Sequence, residues 1–279
     1  DARGAHLLQP RDQLLHEHFG GGRARAHADA RLACDPFRPQ VRGAAVLLLE
    51  IEHLDVAEIS PEVVHASSLF ERENGGVLRA PGVHLIVGDG RTHLQLTSRQ
   101  YDVIVSEPSN PWMAGVAALF THEFFASARE RLTPGGIFCQ WTHTYELERD
   151  DLRSIVRTFA SVFPNGTMWL VGDGDLLLIG VEDEDRERAV RNIAGGSGSE
   201  SAAMMAGQTD VPPESLSFFL LSLYAGGPLE LASFGSGARL QIDDRMDLEY
   251  SAARAMYAPP EGSATRLREI AERAAPPAE

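Results

Sequence analysis

Alternation of short apolar strands with helix-like stretches predicts an α/β fold, a mostly parallel sheet closed by an antiparallel hairpin. Three observations carry that reading. Runs such as Val83-His-Leu-Ile-Val87 and Tyr101-Asp-Val-Ile-Val105 are short, apolar and largely β-branched, with no helical period. Helix-like stretches separate these runs, as crossovers between parallel strands require. Two further strands, Met168 to Val171 and Asp175 to Val181, are joined only by Gly172-Asp-Gly174, which is the spacing of a hairpin.

Taken in order, residues 1–43 fit no element and read as an irregular, aberrant N-terminal segment. Gly20-Gly-Gly22 and the proline-broken Cys34-Asp-Pro-Phe-Arg-Pro39 interrupt any period there. The pattern then changes abruptly. Ala44 to Glu50 reads as a short helix and Leu54 to Ile59 as a strand. A helix begins at Pro61 with Ser60 as its N-cap and runs to about Phe70. After the strand Val83 to Val87 come a short helix near Thr92 to Thr97 and the strand from Tyr101. A helix over Thr121 to Leu132, a Pro134-Gly-Gly136 turn, a strand over Ile137 to Trp141 and a helix over Arg149 to Phe163 precede the hairpin. This is the layout of a class I methyltransferase-like (Rossmann-like) fold. Residues 44–182 are accordingly expected to form a methyltransferase-like catalytic domain. Residues 183–279 read as a linker plus a helical C-terminal extension, with a charged helix over Glu182 to Arg191, a Gly/Ser linker over Ala194 to Glu200 and a helix over Pro213 to Tyr224.

Composition narrows the function classes. The 279 residues suit one large α/β domain or a domain with appendages, and 43% hydrophobic content supplies a core. Net charge is −15, with arginine as the only strong base among 25 basic residues. That acidity argues against a nucleic-acid partner and suits a cationic small molecule. Cys34 and Cys139 alone give neither a disulfide framework nor a cysteine metal site, and the histidines show no HxxxH spacing, so no metal is expected. No apolar run reaches the roughly 20 residues of a membrane helix, and Asp1 to Gly22 lacks a signal-peptide pattern. A cytoplasmic protein without a membrane span is expected.

Polar groups gather where the strands end. Glu58, Asp89 and Glu107 each close a strand, and parallel strands present their carboxyl ends on one edge, where such sheets bind ligands. A carboxylate after the second strand suits the two hydroxyls of a ribose. Asp89, between Gly88 and Gly90, suits an exocyclic adenine amine, the glycines letting the base approach the backbone. Beyond Tyr101 to Val105, Pro108 and Pro111 hold still a segment carrying Glu107, Ser109, Asn110 and Trp112. Tyr145 and His143 follow the strand ending at Trp141. Tyr145 is a candidate pocket residue, and His143 a surface or supporting group.

Val56-Ala-Glu-Ile-Ser-Pro-Glu-Val-Val64, Val87-Gly-Asp-Gly-Arg91, Tyr101 to Trp112, Leu119-Phe120 and Pro134-Gly-Gly-Ile137 together resemble the spermidine synthase (polyamine aminopropyltransferase) family, in its bacterial spermidine-synthase-like branch. The resemblance covers about residues 44–181, and Gln241-Ile-Asp-Asp-Arg245 with Leu248-Glu-Tyr250 resembles that branch's C-terminal motif. It implies decarboxylated S-adenosylmethionine as aminopropyl donor, a putrescine-like amine as acceptor, and a homodimer. By position, Glu58 matches the ribose-binding acid and Asp89, with Gly90, the adenine-binding turn. Glu107 stands at the catalytic aspartate, Asn110 at a second aspartate that holds the diamine, and Gln140 at a glutamine after the next strand. Ser109, Trp112 and Tyr145 complete the acceptor side.

Two departures stand out. Glu107-Pro-Ser-Asn110-Pro replaces a pattern with two aspartates, and an amide cannot neutralise an ammonium charge, though Trp112 offers a cation–π face. The family's Gly-x-Gly-x-Gly donor loop is expected roughly 20 residues before Glu58, where the dinucleotide-type fold needs close backbone approach. Pro36-Phe-Arg-Pro-Gln40 stands there instead. Two other readings therefore stay open: a methyltransferase using intact S-adenosylmethionine, and an inactive ligand-binding homologue.

Overall fold

The computed structural model describes residues 2–7 (backbone only), 51–71, 75–111, 113–145, 147–172, 174–181, 211–255, 265 and 267–268. The helices expected over 44–50 and 182–191, the linker over 194–200, and Trp112 lie outside the described residues. The fold is class I methyltransferase-like, a mixed α/β sheet of parallel strands extended by antiparallel ones. The chain divides into two compact units, residues 1–89 with 187–222 and residues 90–186 with 223–279.

The first unit holds three parallel strands, β1 (Ala2–Leu7), β2 (Ile51–Glu58) and β3 (Val83–Val87), with β2 in the middle. Reading residues 1–43 as irregular is corrected here for Ala2–Leu7, which pairs along β2 from Ile51 to Ala57. Its own sequence, Ala-Arg-Gly-Ala-His-Leu, carries little strand propensity, so the pairing with an apolar neighbour decides its conformation. Helix α1 (Pro61–Ser67) starts as its sequence dictates: proline occupies the first turn and Ser60 Oγ accepts from the Val63 amide at 3.3 Å. It then tightens into a 3-10 turn, Ser68–Phe70. Register between β2 and β3 places Glu58 opposite Val87. Helix α5 (Leu216–Ser222) also belongs to this unit, and it stops short of Tyr224.

The second unit holds helix α2 (Gly90–Leu96), β4 (Tyr101–Ser106), α3 (His122–Glu130), β5 (Leu132–His143), α4 (Arg149–Val162), β6 (Thr167–Val171), β7 (Asp175–Val181), β8 (Tyr224–Gly226), α6 (Pro228–Gly235) and α7 (Leu248–Ala255). Its strands run β4-β5-β7-β6-β8. Strands β4 and β5 are parallel and the rest antiparallel. Strand β5 is longer than its apolar run because Gly135 (φ 79°) takes up an extra stretch of chain: Tyr101 pairs with Leu132, and Val103 with Ile137. Tyr224, expected to end a helix, instead opens β8 beside Trp169.

An aromatic core fixes this unit. Phe124 and Phe125 from α3, Phe138 from β5, Phe159 from α4 and Phe163 are all essentially without solvent exposure. Their rings stack at centroid distances of 5.4 Å (Phe138–Phe163) and 5.2 Å (Phe159–Phe163). Each such burial is worth about 1.5–3 kcal/mol against an exposed ring. The packing anchors β5 and hence the residues at its carboxyl end.

Candidate active site

In the first unit, the end of β2 meets the turn after β3. Glu58 is 1% exposed. Its Oε1 accepts from the Ser60 amide at 2.7 Å, and its carbonyl accepts from the Gly88 amide at 2.9 Å. Its Oε2 is buried and accepts no hydrogen bond among the described residues. Burial raises the carboxyl above its ordinary range, and the Ser60 and Ile59 amides pull it partly back. An acceptor held in this way calls for donors from a ligand. Asp89, exposed, lies two residues past Val87, the register partner of Glu58. A Cβ on Gly88 would meet nothing within 4 Å, leaving open approach to that turn. Gly90 begins α2.

In the second unit, the neighbouring ends of β4 and β5 carry a polar group. Ser106 and Gln140 are register partners, and both are fully buried. Gln140 Nε2 donates to the Trp141 carbonyl at 2.9 Å, while Gln140 Oε1 and Ser106 Oγ have no hydrogen bond among the described residues. Four residues on, Asn110 presents a buried Oδ1 in the same condition, and its carbonyl closes a turn by accepting from the Met113 amide at 3.0 Å. Ser109 is 6% exposed, and Pro108 and Pro111 are buried, so the segment is rigid where the sequence places its prolines. Glu107 itself is exposed. Burial, and then the negative charge of Glu107, push the Cys139 thiol up to about 12, so this cysteine stays protonated and inert.

The far end of β5 continues as an aromatic row. The His143 ring lies 5.6 Å from Trp141 and 4.5 Å from Tyr145. His143 is 0% exposed, which corrects its reading as a surface group: it follows an apolar strand into the interior. Tyr145 is half-buried against the hairpin, where a Cβ on Gly174 would come within 2.9 Å of its ring. The Gly174 carbonyl accepts from the Thr144 amide at 2.7 Å and so holds the row in place.

The structure therefore brings Glu58 and Asp89 to one pair of strand ends, and Glu107, Ser109, Asn110 and Gln140 to another. Sequence reasoning missed Ser106, whose signal was a hydroxyl closing an apolar strand. It also passed over Arg91, the last residue of Val87-Gly-Asp-Gly-Arg91. Arg91 donates to the Ala118 carbonyl at 3.0 Å and pairs with Asp243 of the Gln241-Ile-Asp-Asp-Arg245 motif. Burial alone raises the Asp243 carboxyl, but hydrogen bonds from Arg91 and Thr121 and the Arg91 charge outweigh it and hold it below its ordinary range. Among the described residues no group of histidine, cysteine or acidic side chains is arranged to hold a metal, and no helix is long and apolar enough to cross a membrane.

Residues 44–171, beginning where the sequence pattern changes, match the spermine/spermidine synthase domain. Over this stretch, a little under half of the chain, the sequence is similar to that family. A polyamine aminopropyltransferase of Synechococcus is 36% identical over 116 residues, 40% of this chain and 37% of that protein. Spermidine synthase 2 of Arabidopsis thaliana is 29% identical over 114 residues, 40% of this chain and 33% of that protein. The chain thus spans little more than a third of the length of these relatives. A probable spermidine synthase from Corynebacterium glutamicum shares the fold with TM-score 0.50 at 21% identity, over 87% of this chain and 72% of that one.

Proposed function

We propose that the chain is an aminopropyltransferase, moving an aminopropyl group from decarboxylated S-adenosylmethionine to a putrescine-like amine. The observation that carries this reading is that the stretch matching the spermine/spermidine synthase domain, residues 44–171, contains the candidate groups Glu58, Asp89 and Glu107, at or just past the ends of β2, β3 and β4, and Gln140 within β5. The catalytic region is then 44–182, with the later residues as an extension of helices α5 to α7 and the short strand β8.

Each residue has a defined role in this reaction. Glu58, with its second oxygen buried and open to a donor, takes the ribose hydroxyls. Asp89 accepts from the adenine amine, and Gly88 and Gly90 leave room for the base at the turn. Glu107 orients the acceptor ammonium and takes its proton, freeing the nitrogen lone pair. That nitrogen bonds to the methylene carbon next to the sulfonium. The carbon–sulfur bond breaks, its electron pair stays on sulfur, and the donor leaves as a neutral thioether nucleoside. Asn110 Oδ1, Gln140 Oε1 and Ser109 accept from the rest of the amine, and Trp112 and Tyr145 supply ring faces. With an amide at Asn110 where a carboxylate would neutralise a second ammonium, the acceptor is held more by hydrogen bonds than by charge. No metal has a part in this chemistry, and the acceptor is a small molecule.

Incubating the purified chain with decarboxylated or intact S-adenosylmethionine and a panel of amines, followed by mass spectrometry, tests the reading. An aminopropylated amine, a mass gain of the C3H7N unit, is expected. Methylated product points instead to methyl transfer, and no product with either donor to a homologue that only binds.

A further inference from the structure

We propose that a cavity in the second unit, between helix α4 and residues 237–254, binds an organic ammonium ion with Asp151 as its anionic anchor. The cavity measures about 510 Å³ and shares no residue with the strand-end site. That volume is within the range of small-molecule pockets, roughly 300–1,000 Å³.

Asp151 stands in the first turn of α4 and is 7% exposed. Its Oδ1 accepts from Ser251 Oγ at 2.6 Å, whereas its Oδ2 is buried and accepts no hydrogen bond among the described residues. Burial pushes this carboxyl up to about 6, the Ser251 hydrogen bond working against it, with the Glu148 charge adding to the rise and the Glu148 amide and Arg254 opposing it. A carboxylate kept in this state is costly unless a donor reaches it.

Three of the donor side chains lining the cavity are committed elsewhere, while Arg239, Tyr250 and Arg254 line its outer part. Arg153 gives its guanidinium to Asp150 at 2.8 Å, to the Phe234 carbonyl at 3.1 Å and to the Ser236 carbonyl. Ser154 Oγ donates to the Arg239 carbonyl at 2.7 Å, and Gln241 Nε2 donates to Ser154 Oγ at 2.6 Å. Acceptors remain. Besides Asp151 Oδ2, the buried Oδ2 of Asp247 takes no hydrogen bond, although it is ion-paired with Arg239 at 3.6 Å and with Arg245 at 3.9 Å. The need left open at the cavity is a donor for the buried Asp151 Oδ2. A protonated primary amine meets that need and brings the opposite charge.

The test is calorimetric titration of the full chain with n-butylammonium, using tetramethylammonium, which carries the charge but no N–H, as control. Saturable binding of the first and none of the second is expected. Asp151→Asn keeps the acceptor for Ser251, so folding should survive, and the affinity should fall at least about tenfold, the loss of one charge-assisted hydrogen bond. Asp247→Asn reads the same site independently and should also weaken binding. Because the proposed strand-end site also takes a primary amine, the titrations are repeated in the Glu107→Gln background, where the Asp151-dependent binding should persist whether or not the chain transfers aminopropyl groups. Unaltered affinity in Asp151→Asn, binding of tetramethylammonium with equal strength, or loss of binding in Glu107→Gln alone would overturn the proposal.

Discussion

Ser106 and Gln140 face each other in register across β4 and β5, both fully buried, and each holds a polar atom that nothing described satisfies. Buried polar atoms are ordinarily paired, because leaving one unmade costs about 1–3 kcal/mol. In the proposed acceptor site, two such atoms side by side on neighbouring parallel strands are what an amine's N–H groups would satisfy. Ser106→Ala should therefore leave the thermal midpoint unchanged or raise it, since no hydrogen bond is lost. It should raise the KM for the amine by about tenfold, the equivalent of one hydrogen bond. A lowered midpoint with unchanged KM would make the hydroxyl a structural group.

Glu107 is exposed, so replacing its carboxylate should not disturb packing. For Glu107→Gln, aminopropyl transfer at neutral pH is expected to fall by about 10²–10⁴-fold, the span of general-base contributions. Donor binding, read by equilibrium titration, should be retained. Raising the pH should restore part of the rate, because the amine then deprotonates without help. Turnover equal to that of the unaltered chain would remove Glu107 from the mechanism.

Glu58 tests the donor side and has a sign in pH. Its folded-state value is raised above the unfolded one, so the folded form holds the proton more tightly, and stability declines as pH rises through that interval. Glu58→Gln removes the buried charge. Its thermal midpoint should exceed that of the unaltered chain at pH 8, and the gap should close at acid pH. Affinity for the donor nucleoside should meanwhile fall about 10–100-fold, as expected for losing a charged acceptor of ribose hydroxyls. Gaining stability while losing affinity is the behaviour of a binding carboxylate. Losing both would mean that the Ser60 amide contact carries the fold.

Much of the fold was legible because local and tertiary signals agree. Val83–Val87 matches its apolar run residue for residue, and Ser60 with Pro61 starts α1 as a cap and a first-turn proline should. The failures have physical causes. Ala2–Leu7 becomes a strand by pairing with β2, information its own residues do not carry. The three residues of β8 are too few for a period to emerge. Helix α6 did have a signature that went unread: Pro228 in its first turn, and Glu230 reaching back to the Gly227 amide at 2.8 Å. For the site, charged strand ends such as Glu58 are visible as interruptions of an apolar run. The buried state of Ser106, His143 and Asp151 is not, because it depends on which element covers them.

Asp151 has a pH signature distinct from its ligand. Its carboxyl is raised to about 6 from an ordinary 3.8, so the folded chain keeps a proton there that the unfolded chain releases. Stability contributed by the protonated form is present below the ordinary value and is lost as pH rises through about 6. Ser251 and Arg254 of α7, Asp150, Arg153 and Glu148 around the start of α4, and Arg239 and Asp247 set the surrounding field. Asp151→Asn should thus match the unaltered chain in thermal midpoint near pH 4 and exceed it at pH 8. A constant difference across that range would place the effect in packing instead of charge.

Gly180 shows how closely the hairpin and α4 are fitted. It lies in β7 opposite Phe138, and a Cβ there would stand 2.4 Å from the Cδ1 and Cγ atoms of Phe163. Phe163 stacks on Phe138 and Phe159 and cannot retreat without separating those rings. The glycine is needed for space, since its backbone is ordinary strand. Gly180→Ala should therefore destabilise by about 1–3 kcal/mol through overpacking, measured as a lower urea midpoint with an unchanged slope. Gly180→Ala combined with Phe163→Leu, which trims the obstructing ring, should recover part of the loss. Equal destabilisation by Gly180→Ala with and without the Phe163 change would mean that the strain lies in the β5–β7 ladder itself, and that the core aromatic ring is not what excludes a side chain at this position.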